Sequence, residues 1–574
     1  MDKKALLAFI LCGIVMLYVF QQFPQKVEPP EEENKEVVTE EVVVKEKEEP
    51  EKEIGFEKQE EVEEIVQKEI ELQDNIVVQN DVIRTVWTNE GAALKSTVLT
   101  KFMGTEKKQV LELLSPANND FLPLSMELQD EEKYQLKRRR YEVVKKGYDR
   151  VTFTTLLENG LRITKDISLE MGKYYLDVVI MLENTTGLDI TTAYTTNITS
   201  GIYPEFDYNM GLGSVVGIDV GRDKIKLART AIKDLPYKNE SVGISWGGGV
   251  NKYFTAVLKS SKSDRIANAS SEKIENPNPL YKDDFAVSLQ TKKITIHPQG
   301  MQRDDYVFFL GPKKEDILRQ CDGLLSLLEY GWTTSICKIL VKTLNFFYSF
   351  IPNYGVSILL LTLLVKLMLF PLTRKSQMSM FRMQQLQPLI GQLKEKHKGD
   401  KQRMGQEQMK LFKQHGVNPM SGCMPIMLQM PVFFALFRTL QLSFEMRQAP
   451  FISWINDLSL PDTLIQLPFS LPFLGDGLNI LPIIMGAASF VQMRLTPKTV
   501  SGDDPQAKMQ QRMMQMMPII FPFILYTMPS GLTLYWTTST LISIGEQIFI
   551  RRSIKKIDIY YKGKRITTGK VKTK

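Results

Sequence analysis

Cysteine and histidine are scarce in this chain, and each scarcity closes off a class of chemistry. Only four cysteines occur in 574 residues, Cys12, Cys321, Cys337 and Cys423, all in or beside apolar segments and none between residues 75 and 320. No two of them form a CxxC pair, so neither a disulfide scaffold nor a cysteine-based zinc site is expected. The three histidines, His297, His397 and His415, lie outside every apolar segment, which leaves most hydrolase mechanisms without their usual base. Neither a Walker loop nor an HExxH motif occurs, so no nucleotide, cofactor or metal is expected. Aspartate and histidine are missing from the long apolar runs, which argues against an intramembrane protease.

What is present is a marked asymmetry of charge. The net charge of +6 conceals a segment, Val27 to Leu72, with 19 Glu against 6 Lys, so that stretch is at −13 and the remainder at +19. The positive excess sits beside apolar runs and reads as membrane topology rather than a nucleic-acid footprint, so no DNA is expected as partner. A chain of this length needs more than one core.

Residues 1–24 begin MDKK and run into the apolar stretch Ala5 to Phe23, long enough to span, with no small-x-small site after it; an uncleaved signal anchor is expected. Residues 25–74 are Glu-rich and poor in aromatics, as expected of a disordered tether or a solvated helix. From 75 to 320 short runs alternate with period two, for example Asp149-Arg-Val-Thr-Phe-Thr-Thr and Lys173-Tyr-Tyr-Leu-Asp-Val-Val-Ile-Met. Glu158-Asn-Gly160 and Gly247-Gly-Gly249 read as turn signals, and the Gly211 to Gly221 stretch as a loop. This pattern predicts a large all-β antiparallel sandwich.

At 330–352 the period becomes helical. Ile336, Leu340, Leu344, Phe347 and Ile351 line one face opposite Lys338, Lys342, Asn345 and Ser349, as in an amphipathic helix lying in a membrane interface; a core helix of the sandwich is the alternative. Residues 353–552 hold spans at about 355–373, 424–444, 478–495, 516–529 and 531–550. The last two form a hairpin broken at Pro529-Ser-Gly531, since one helix of that combined length would overreach a bilayer core of about 30 Å. Segments 374–420, 494–515 and 551–574 carry 10, 4 and 10 Lys or Arg, against Arg447 alone in 445–477. The predicted fold class is therefore a multi-domain membrane protein: an all-α membrane bundle of about six spanning helices with both termini in the cytoplasm, plus an all-β sandwich outside.

The most informative residue is Lys366, eleven positions into the otherwise apolar run Val356 to Leu372. A charge at mid-helix costs about 2.5–3.5 kcal/mol in lipid, so it faces protein or water unless it snorkels toward Arg374 and Lys375. Thr362, one turn earlier, shares its face, and a face carrying both can line a wet groove. Gln429, Gln492 and Thr537-Thr-Ser-Thr540 are further polar residues inside spans; interhelical packing is the alternative reading of the threonines. The segment 374–416 reads as a cytoplasmic helical hairpin turning at Lys398-Gly-Asp400, basic and Met-rich, with Met378, Phe381, Met404 and Met409 as candidate contact residues. Nineteen of 27 methionines follow residue 350, which suits an adaptable surface as well as ordinary core filling. The basic tail, 553–574, suits ribosomal RNA, anionic lipid headgroups or a plain topological anchor.

Pro371-Leu-Thr373, Val417-Asn-Pro-Met-Ser-Gly-Cys423 with Gln429-Met-Pro431, Arg447-Gln-Ala-Pro450 and Pro529-Ser-Gly-Leu-Thr-Leu-Tyr535 stand in this order. Together they resemble the YidC/Oxa/Alb membrane insertase family, closely over about 330–552, with a β region like that of the Gram-negative branch in size and place. The resemblance implies an inner-membrane chaperone and insertase, not an enzyme, whose five-helix bundle encloses a hydrophilic groove open to cytoplasm and lipid. It implies nascent membrane proteins and the Sec translocon as partners, and groove contacts at Lys366, Thr362, Gln429, Tyr535 and Trp536. The family usually has Arg where this chain has Lys366, so the charge is kept without the planar fork, and Trp536 stands where a second tyrosine is common. A secondary transporter or channel is the alternative; it would predict an internal repeat and paired interrupted helices, and neither is seen.

Overall fold

The computed structural model describes residues 70–496, 516, 520–553, 559–561 and 564–566, apart from 106, 118, 129–130, 206–211, 222–223, 242, 279–280, 282, 329, 398–399, 419–423 and 472–473. The expected anchor at 1–24, nearly all of the acidic segment, most of the basic tail and part of the Val417–Cys423 motif lie outside the described residues. Within the tail, Ile559–Tyr561 and Lys564–Ile566 pair as a short antiparallel hairpin.

The β region is built on one nine-stranded antiparallel sheet. Four consecutive strands, Glu142–Lys146, Arg150–Leu156, Leu161–Leu169 and Tyr175–Asn184, form a meander at one side. The last strand of the region, Met301–Pro312, then pairs with Tyr175–Asn184 and joins the meander to Phe254–Ser260, Ile244–Val250, Gly213–Asp219 and Ile225–Ala231. Leu161–Leu169 and Tyr175–Asn184 bury every second residue, the period of a strand with one face on a core. A five-stranded sheet, in the order Tyr237–Asn239, Ile266–Lys273, Phe285–Thr291, Tyr194–Thr199, Met126–Leu128, packs over the middle of the large sheet. A four-stranded sheet starting at Ile76–Gln79 joins the same core.

Glycine explains how the two sheets come so close, and it corrects two sequence expectations. Gly247, Gly248 and Gly249 do not turn the chain; they sit inside the fully buried strand Ile244–Val250. A Cβ at Gly247 would lie 3.1 Å from Leu289 Cδ2, and one at Gly249 would lie 2.6 Å from Thr199 Cγ2. Both neighbours belong to the facing sheet, so close backbone approach selects glycine here. Gly217 is likewise within a strand, Gly213–Asp219, where a Cβ would fall 2.1 Å from the Trp246 ring. Gly243-Ile-Ser-Trp-Gly247 has the spacing of a nucleophile elbow, but Ser245 lies within the strand rather than on a strand-to-helix turn. Glu158-Asn-Gly160 does turn the chain, with Gly160 at φ +76°.

Lys165 points into this core and is almost wholly buried. Its Nζ donates to the carbonyls of Gly91, Ala92 and Leu124 at 2.8, 3.2 and 2.7 Å, tying the meander to two loops.

Helices α1 (Thr334–Phe350), α2 (Tyr354–Gln385), α3 (Gln387–Lys396), α4 (Lys401–Gln414), α5 (Met424–Leu442), α6 (Ile480–Leu495) and α7 (Ser530–Ser553) follow. Asn353 caps α2 by accepting from Val356 N. At 32 residues α2 is about 48 Å long, so it extends beyond a bilayer core into the hairpin region. Among the described residues it is the one helix both long and apolar enough to cross a membrane, and α6 is apolar but only 16 residues long. Helix α1 buries Cys337, Leu340 and Leu344, which share a core with Leu436 and Leu440 of α5 and Ile358 and Leu361 of α2. Of the expected face Leu340, Leu344 and Phe347 pack on the bundle, with Cys337 added, whereas Ile336 and Ile351 are exposed, as are Ile339, Phe346 and Phe350. The helix therefore has two apolar faces, one on the bundle and one uncovered.

Candidate functional site

Three contacts place α2 beside α7. A Cβ on Gly531 would lie 3.4 Å from Ile358 Cδ1, Lys366 Nζ donates to Ser543 Oγ at 2.7 Å, and the Phe370 and Phe549 rings are 6.4 Å apart. Residue numbers rise together along both helices, so they run parallel. Lys366 thus reaches sideways to a partner helix rather than along its own helix toward Arg374.

Glu546 stands one turn beyond Ser543 and is the sole acidic residue of α7. It makes no direct ion pair with Lys366, though the opposite charges stand near enough to attract, and Glu546 Oε2 is buried with no hydrogen-bond donor among the described residues. Sequence reasoning passed over Glu546. The signal was available, since a lone carboxylate inside the expected 531–550 span is as costly as a lone lysine.

The other expected groove residues fall at neighbouring levels. Gln429 Nε2 of α5 donates to the Tyr535 hydroxyl of α7 at 2.8 Å, and Tyr535 is buried. Trp536 is half-buried in an aromatic cluster, 4.3 Å from the Phe521 ring and 5.1 Å edge-on to Phe433. Thr362 is buried and its hydroxyl donates to Ile358 O of its own helix at 2.6 Å. Thr537 and Thr538 likewise donate to the carbonyls of Thr533 and Leu534, a local bond that satisfies the hydroxyl without an interhelical partner. The structure therefore brings Lys366 and Ser543 together at one level, with Glu546 one turn beyond, and Gln429 with Tyr535 at another. Gln492 of α6 makes no side-chain contact with either group in the hydrogen bonds described.

The hairpin residues do not form one surface. Phe381 is buried, Met378 and Met404 are half-buried, and Met409 is 47% exposed. The small core here consists of Met383, Leu386, Leu389, Phe412 and Val417. The first arm is broken at Leu386, where α2 gives way to α3, and Asp400 caps α4 through Arg403 N. Among the described residues no cluster of three His, Cys, Asp or Glu side chains could hold a metal ion.

A second polar centre joins the helical region to the β region, and sequence reasoning saw only half of it. Arg447, the single cation of the segment after α5, pairs through Nε with Glu205 Oε1 at 3.0 Å, the two side chains being 4% and 7% exposed. Arg447 Nη2 also donates to Met103 O, and Gln448 Nε2 to Gly104 O, both at 2.8 Å. Beside them the Phe444 ring enters an aromatic pocket, 5.3 Å from Phe102, 6.0 Å from Tyr253 and 5.4 Å from Phe254, each edge-on. Burial pushes the Glu205 carboxyl up from its ordinary range, and the Arg447 guanidinium opposes that rise.

A large β-sheet domain fastened to a helical region, one of whose described helices is long and apolar enough to span and carries a mid-helix cation, is the build of a membrane protein. Residues 346–557 match the family described as 60Kd inner membrane protein, and residues 75–343 match the YidC periplasmic domain. The chain belongs to the YidC family of membrane protein insertases, which is not a family of enzymes. A membrane protein insertase YidC of Syntrophus aciditrophicus is 33% identical over 582 residues, covering 96% of this chain and all of that one. Another, from Citrifermentans bemidjiense, is 31% identical over 492 residues, 84% and 86% of the two chains. One from Pelobacter propionicus is 40% identical over 334 residues, 58% of each chain. The β-sheet domain is thus periplasmic and the helical region lies in the inner membrane.

Proposed function

We propose that this protein inserts nascent membrane proteins through a hydrophilic groove centred on Lys366, alone or beside the Sec translocon. The observation that carries this reading is the placement of Lys366: the one cation in the apolar part of the one clear spanning helix among the described residues, satisfied sideways by Ser543. A cation held there keeps polar company at membrane depth, which lowers the desolvation cost of moving a polar segment across. Leu363, Leu364, Leu367 and Met368 flank it and are exposed. They offer an apolar track along which a substrate span can leave for lipid.

In this reading about six helices span the membrane, with residues 1–24 as the first and both termini in the cytoplasm. The uncovered face of α1, with Ile339 and Phe350, rests in the lipid interface. The basic Met-bearing hairpin meets incoming substrate, with Met409 the most accessible of its expected contacts, and the tail meets ribosomal RNA or anionic headgroups. Solute transport is the competing use of such a site.

Reconstitution of the purified full chain in vesicles without nucleotide separates the two. Protease-protected insertion of a small two-span substrate is the expected result. Solute flux without insertion would overturn the proposal.

A further inference from the structure

We propose that Glu546 is the resident counter-ion of Lys366 and sets the charge that a translocated segment can carry. This rests on the groove reading and deepens it. The apolar part of α2 contains one charged residue, Lys366, and α7 before its basic end contains one, Glu546. The parallel register of the two helices puts Ser543 against Lys366, with Glu546 one turn along. Ser543 gives Lys366 a neutral partner, while Glu546 Oε2 is buried without a donor. That oxygen therefore has the nearby Lys366 charge, rather than a hydrogen bond, to offset its burial.

A lone lysine would draw acidic segments in, hold them, and exclude basic ones. A lysine with a standing carboxylate is nearly neutral at a distance, so an entering acidic side chain must compete with Glu546 for the cation. Such competition weakens capture and speeds release, while admitting uncharged and mildly basic segments. Ser543 holds the ammonium throughout. Glu546 acts on substrate through Lys366 and is accordingly a positioning residue.

The test uses full-length protein in vesicles and one single-span substrate in two forms, its translocated segment carrying either two extra Asp or two extra Lys. The readout is the ratio of acidic to basic insertion. Glu546→Gln should raise this ratio about fivefold and Lys366→Gln should lower it by a similar factor. Lys366→Gln/Glu546→Gln should return it to within about twofold of wild type. A merely structural role for Glu546 would lower both substrates together and leave the ratio unmoved. If Lys366→Gln shifts the ratio but Glu546→Gln does not, Glu546 is no counter-ion and the groove reading survives. If neither shifts it, the groove reading itself falls. Should Glu546→Gln fail to fold, the double variant decides: the wild-type ratio supports the pair, and the ratio of Lys366→Gln alone overturns it.

Discussion

Truncating Arg447 to alanine should loosen the segment after α5 from the periplasmic domain, and the structure sets the size of the effect. Arg447 and Glu205 are both buried, and Arg447 also supplies the donor for Met103 O. Removing one member of a buried pair strands the other charge, at a cost of about 3–5 kcal/mol. The local reporters are the amides of Phe451 and Leu458, which bond to Ile455 O and Ala449 O at 2.9 Å within that segment. If they exchange by local opening, their exchange should accelerate by roughly a hundred- to several-thousand-fold in Arg447→Ala, by the same free energy. Glu205→Ala should do the same from the other side. Arg447→Ala/Glu205→Ala should cost less than the sum of the singles by about 2 kcal/mol, because no charge is left stranded. Hydrogen exchange read by mass spectrometry on the detergent-solubilised full chain is the assay. Unchanged exchange at 451 and 458, or additivity within about 0.5 kcal/mol, would refute the clamp.

Lys165→Met should destabilise the β region by about 2–4 kcal/mol, since three buried carbonyls lose their donor while the charge-burial cost is relieved; a denaturation curve followed through Trp87 and Trp246 measures it. Burial pushes the Lys165 ammonium down to about 7 from its ordinary 10.5. The penalty for burying the charge is therefore full below pH 7 and gone above pH 10.5, so stability should rise across that window in wild type and be flatter in Lys165→Met. Gly249→Val should separate the two sheets, because a Cβ there meets Thr199 Cγ2 at 2.6 Å, and the loss should be about 3 kcal/mol, the upper end of overpacking costs, in the same assay. Deleting residues 75–310 should spare most insertion once Phe444 and Arg447 are also made serine, and less without those changes, as judged by protease protection of substrate.

The sequence carried the two-part architecture because its signals were periodic: alternation in strands such as Leu161–Leu169, and apolar runs in α2 and α6. It misplaced Gly217 and Gly247–Gly249 because glycine has two opposite uses. A glycine that frees φ in a turn and one that admits a facing sheet look alike until the second sheet is known. On α1 the packing of Leu340 and Leu344 was legible but that of Cys337 was not, since it counts as a packing residue only when α5 lies against it. Within the site, Lys366 was legible from its solitude in an apolar run. Ser543 and Glu546 depend on the register of α2 against α7, which no spacing within one helix encodes. Glu205 is further removed still, lying 242 residues before Arg447. Long-range pairs of this kind are absent from local pattern.

The claim on which everything turns is that position 366 is wet from the cytoplasmic side. Lys366→Cys, in a chain whose Cys12, Cys321, Cys337 and Cys423 are replaced by serine or alanine, exposes that position to a membrane-impermeant maleimide in oriented vesicles. The account predicts labelling when the reagent is on the cytoplasmic face and none when it is on the periplasmic face alone. Protection from both faces, in a variant that still inserts substrate, would contradict it.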